Sequence, residues 1–151
     1  MHWTQSGAEL FAPILRTRGH IRVDINKKNR QAIERAIESA GGPAAPAGKV
    51  VAELMFGFWR YLTSKAHEKA LWVPYLYHAF PPGTDRRRDV DQPVGRLHDL
   101  RNRVVHHEPV FTIDIQARLD DVLAVAGRID PRVRAFIRAT TAVPDLLASR
   151  P

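Results

Sequence analysis

The chain contains no cysteine. A disulfide scaffold, a thiolate-held zinc or iron–sulfur site and a thiol nucleophile are therefore excluded. No apolar run approaches the roughly 20 residues that a membrane-crossing helix needs. The first residues, Met1-His2-Trp3-Thr4-Gln5, lack the basic and apolar regions of a secretory signal. A soluble, cytoplasmic protein is the expectation. There is no Gly-rich phosphate loop, dinucleotide fingerprint, nucleophile elbow or His-Glu-x-x-His pair. Lysine is scarce, with 5 Lys beside 18 Arg.

What is present is ordinary in bulk. A chain of 151 residues, 44% hydrophobic and 26% charged, has the length of one domain and buries roughly 68–70% of its unfolded surface. It is too apolar for whole-chain disorder. Its formal charge is +7 and its pI is near 10.4. A basic excess made of arginine suits phosphate, because the guanidinium offers a planar fork where lysine offers a point charge. GC-rich coding sequence also raises Arg, Ala and Pro, so the charge alone leaves nucleic-acid binding open.

The pattern along the chain reads as all-α. Residues 1–25 are mixed, with Phe11–Leu15, Ile21, Val23 and Ile25 packing as extended or irregular segments. Asn26 or Asn29 caps a helix to about Ala40, with Ala32, Ile33, Ala36, Ile37 and Ala40 on one face. Residues 41–48, with their Gly and Pro, are a loop. Val50, Val51, Leu54, Met55, Phe58, Trp59 and Leu62 predict one buried helix over about 49–64. Leu71, Trp72, Tyr75, Leu76, Ala79 and Phe80 predict another, kinked or delayed by Pro74. Asp85 to His107 is helical, interrupted by Pro93 and Gly95 and stopped by Pro109. Further helices are expected over about 114–126 and 131–140, the latter opened by Asp130-Pro131, with a last turn over 144–149. No period-2 strand stands out.

The stretch from Leu97 to Pro109 carries the chemistry. At about 100° per residue, Val90, Val94, Leu97, Val104 and Val105 form an apolar stripe, and Arg101 falls in its middle. An inward arginine is costly unless paired or placed at a cleft; Glu53, Asp99 and Glu108 are possible partners. His98, Asn102 and His106 follow at four-residue intervals along the stripe's edge. The ordinary reading of His106 and His107 is a pair favoured by the dipole at a helix C-terminus. A metal site is a poor fit, since His98 and His106 lie two turns apart and His106 and His107 point apart. No cofactor is implied.

Arg101-Asn102-Arg103-Val104-Val105-His106 matches the Arg-x4–6-His motif of the HEPN superfamily, with the usual polar residue after the Arg. Leu97 to Pro109 resembles the abortive-infection-like (Abi-like) bacterial proteins, and the likeness extends to residues 48–59, to Leu71-Trp72, to Ala79-Phe80-Pro81 and to Arg86–Val90. It covers most of residues 26–150. The resemblance implies a single all-α HEPN bundle of five to six helices, shortened relative to longer relatives with additional N-terminal helices. It implies a metal-independent endoribonuclease, a toxin or phage-defence effector, that dimerises to join two motifs in one cleft and is restrained by an antitoxin protein. By position, Arg101 would hold the scissile phosphate, His106 would be general acid or base, and Asn102 would orient one of them. Arg86, Arg87, Arg88, Arg103 and His107 would bind RNA.

That chemistry is physically reasonable. RNA supplies its own 2′-OH nucleophile, an imidazole moves protons near neutral pH, and a guanidinium stabilises developing phosphate charge. The products would be a 2′,3′-cyclic phosphate and a 5′-hydroxyl. On an ideal helix Arg101 and His106 stand about 140° apart, which favours a composite dimer site or a distorted helix end near Pro109. The alternatives are a non-catalytic HEPN module holding RNA or protein and, more remotely, a DNA-binding helical regulator, for which no recognition helix appears.

Overall fold

The structure, a computed structural model, describes residues 11–149 apart from the side chain of Arg18, and most of them are helical. The chain divides between Trp59 and Arg60 into two units, described in turn.

The first unit opens with a hairpin that the all-helical reading missed. Strands β1 (Leu15–Arg18) and β2 (Ile21–Asp24) pair antiparallel, with Arg18 opposite Ile21. Gly19-His20 is the two-residue loop, and Gly19 supplies the positive φ of 62° at its first position. The strands are only four residues long and their apolar members are exposed, with Ile21 at 68%. No buried face imposes a long alternation, so the hydrophobic pattern was weak. The Gly-x turn between two short β-prone runs was the readable signal.

Polar contacts fix the hairpin to the first helix. Asp24 Oδ1 accepts the backbone N–H of Ile14 (3.1 Å) and of Asn26 (3.0 Å), and Asp24 Oδ2 pairs with Arg30. Helix α1 (Lys27–Ser39) has Asn26 at its N-cap, but the Asn26 side chain does not cap. It donates instead to Ala12 O at 2.7 Å. Ile33, Ala36 and Ala40 are the buried face of α1. The expected single helix over 49–64 is two pieces, α2 (Ala47–Glu53) and α3 (Phe56–Leu62), because Leu54 turns extended at φ −79°, ψ 122°. The Leu54 carbonyl freed by the break accepts the Trp59 indole N–H at 3.1 Å. Phe58 packs edge-on against both Phe11 and Trp59, and Val50 of α2 is buried as well.

The second unit begins irregularly. A 3-10 turn (Lys65–His67), a π-turn (Glu68–Trp72) and a second 3-10 turn (Leu76–Ala79) replace the helix expected around Pro74. Another π-turn, Arg86–Asp91, runs directly into α4 (Gln92–Val105). Pro93 therefore lies where the π-turn passes into α4; it does not interrupt the helix. Helices α5 (Ile115–Ile129), α6 (Pro131–Thr140) and α7 (Val143–Ala148) complete the unit. The buried apolar residues are Leu71, Trp72, Val90 and Leu123.

Two arginine–aspartate sites hold the helices together. Arg96 on α4 binds both oxygens of Asp121 on α5, at 2.9 and 2.5 Å. Asp89 takes two hydrogen bonds from Arg88 and an ion pair from Arg128 on α5 at 3.2 Å. The Arg88 hydrogen bonds hold the Asp89 carboxyl at about 2, against the desolvation that opposes them. A Cβ at Gly127 would stand 2.7 Å from Arg134 Cδ, so this glycine lets α5 and α6 approach closely. Among the described residues no helix is long and apolar enough to cross a membrane.

Candidate functional site

The site lies at the C-terminal end of α4. The stripe that includes Val90, Val94 and Leu97 is buried or half-buried at its start, but Val104 and Val105 are 57% and 50% exposed. The expected inward stripe thus emerges at the surface where the motif sits. Arg101 and Asn102 are half-buried there. Arg101 Nη1 donates to Asn102 Oδ1 at 3.3 Å, and Asn102 Nδ2 stands 3.3 Å from His98 Nδ1. Arg101, Asn102 and His98 are thereby joined in one polar row. His98 also faces the Asp99 carboxylate at 3.7 Å. Neither Asp99 nor Glu108 forms an ion pair with Arg101, which has no acidic partner among the described residues of its unit.

Helix α4 ends at Val105, and His106 is its C-cap at φ −91°, ψ 9°. The end is a Schellman motif. Glu108 N–H bonds Arg103 O at 2.8 Å and His107 N–H bonds Val104 O at 3.2 Å. His107 occupies the left-handed position of that motif, at φ 55°. His106 and His107 are both exposed. The helix is regular as far as the His106 N–H, which bonds Asn102 O at 3.0 Å, so the left-handed turn at His107 falls beyond both Arg101 and His106. Among the described residues the His106 imidazole forms no hydrogen bond to the Arg101–Asn102–His98 row.

The arginines expected to bind RNA divide into two kinds. Arg86 is buried, and Nη1 donates to Thr63 O at 2.6 Å while ion pairs reach Asp91 and Glu68 at 3.6 and 3.7 Å. Its guanidinium is engaged inside the fold. Arg88 is 74% exposed on the Asp89 carboxylate. Arg87 is exposed, and Arg103 is exposed with Nη1 on Pro109 O at 3.2 Å. Arg86 to Arg88 lie just before the start of α4, roughly 20 Å from Arg101 along the helix axis. There Glu68, Trp72, Tyr77, Thr84, Asp85 and Arg87 line an open cavity of about 390 Å³, whose charges are mixed.

Sequence reasoning gave His98 no role in the site, although its four-residue spacing to Asn102 was visible. The left-handed His107 carried no sequence signal, because glycine, the usual marker of that position, is absent. Comparison with protein-family models, with curated proteins and with solved structures returns no match.

Proposed function

We propose that the chain is a metal-independent endoribonuclease of HEPN type. Arg101 binds the scissile phosphate, Asn102 orients Arg101 through its side-chain oxygen, and His106 acts as general acid or base. The observation that carries this reading is Arg101 itself: a half-buried guanidinium, held by Asn102 and lacking an acidic counter-ion among the described residues of its unit. A bound phosphate completes such a group, in bidentate fashion. Exposed Arg87 and Arg103 add contacts to the backbone of the same RNA. A homodimer draws support from the exposed apolar side chains Val104, Val105, Phe111 and Phe136. The restraining antitoxin and the toxin or phage-defence role rest on the family resemblance.

The test is incubation of the purified protein with total RNA in EDTA. Wild type is expected to leave 2′,3′-cyclic phosphate and 5′-hydroxyl ends. Arg101→Ala and His106→Ala are each expected to cut at least about 100-fold more slowly. Intact RNA with wild type, or equal cleavage by His106→Ala, would overturn the reading. The same exposed apolar side chains favour a second reading, a non-catalytic module for RNA or protein. RNA binding that survives His106→Ala without any cleavage would establish it.

A further inference from the structure

We infer that His107 is a second proton-transferring residue of the proposed ribonuclease site, acting beside His106; the inference rests on that reading of the function. Cleavage by the 2′-OH moves two protons. The 2′ oxygen forms a bond to phosphorus as its proton passes to a base. The P–O5′ bond breaks as an acid delivers a proton to the leaving 5′ oxygen. One imidazole gains the proton that the other loses, so the step balances within the pair. Within one protomer, His106 alone supplies only one of these groups.

Three observations single out His107. It adjoins His106 at the end of α4, and both imidazoles are exposed. Neither is held by another side chain among the described residues, whereas His67 is buried and His98 faces Asn102. Above all, His107 sits at φ 55°, and every other described residue with positive φ is glycine. The same chain ends α1 with the same hydrogen-bond pattern, Gly42 N–H to Ile37 O and Gly41 N–H to Glu38 O. There the left-handed position is Gly41, at φ 109°. A side chain in that region is strained and glycine is not. At α4 the fold alone would take glycine, and an imidazole stands there at a conformational cost. Such outliers concentrate where a side chain is used.

Single-turnover cleavage of a labelled, mixed-sequence single-stranded oligoribonucleotide in EDTA tests the inference, with affinity for its uncleavable 2′-deoxy analogue measured in parallel. His107→Gly relieves the strain and is expected to raise Tm by about 2–4 °C. It is expected to bind the analogue within about twofold of wild type and to cleave at least about 100-fold more slowly, with part of the rate restored by free imidazole. His107→Asn, which tolerates the left-handed backbone but carries no proton, is expected to lose cleavage equally. If wild type cleaves and both variants cleave within about threefold of it, the inference falls and the ribonuclease reading stands. If the variants lose affinity for the analogue in proportion to rate and imidazole restores nothing, His107 is an RNA contact and the inference is overturned. If wild type leaves RNA intact, both fall.

Discussion

His67 shows what a single buried residue can do to stability. It is 1% exposed in the second unit, its ring lies against Tyr61, and its Nδ1–H donates to Tyr61 O at 3.2 Å. Burial disfavours the imidazolium and pushes its pKa below the ordinary value, partly opposed by that hydrogen bond. A depressed folded value means that the unfolded chain takes up the proton first. The stability contributed by the neutral ring is complete above about pH 6.5 and declines as pH falls through the lower folded value. Thermal melts at pH 7.5 and pH 5 are therefore expected to show a drop in Tm for wild type that is smaller in His67→Asn. Equal drops would refute the assignment. Residues of this kind are poorly legible in sequence. His67 carried no motif, and Arg86 read as one of three equivalent surface arginines until burial separated it from Arg87 and Arg88.

At the scale of elements, long periodic patterns were legible and backbone defects were not. The helix over 131–140 was readable from Asp130-Pro131, and the Asp130 side chain does accept the Arg132 N–H at 2.8 Å. The segment 49–64 shows the opposite. Its apolar spacing is helical throughout, so periodicity sees no break, yet Leu54 leaves the helix and Trp59 closes the gap by bonding its carbonyl. Trp59→Phe retains a ring and removes that donor. It is expected to destabilise the protein by about 1–2 kcal/mol, the effect of leaving a buried carbonyl unpaired, measurable by urea denaturation. An unchanged midpoint would mean that the indole N–H does not stabilise the break. The hairpin was missed for a related reason: a strand pair without a buried face makes little periodic signal.

At the scale of the whole molecule, composition gave the sign of the field and left its use open. A net charge of +7 built from arginine attracts polyanions, but only groups that face solvent release counter-ions on binding. The candidate site was legible as the run Arg101-Asn102…His106, because helical spacing brings those residues to one end of one element. Its electrostatic surroundings were not legible, because they depend on which arginines the fold consumes. Titrating RNA affinity against salt separates the two populations. For single strands the slope of log K on log salt is about −0.7 per phosphate neutralised. Arg87→Gln and Arg103→Gln are each expected to flatten that slope by about 0.7 with little change in Tm, since both side chains are exposed. Arg86→Gln is expected to leave the slope unchanged and to lower stability by on the order of 3 kcal/mol, because it strips Asp91, Glu68 and the Thr63 carbonyl of a buried cation. A flattened slope in the stable, folded Arg86 variant would contradict this division. It would mean that the interior arginine is drawn out to the nucleic acid when the complex forms.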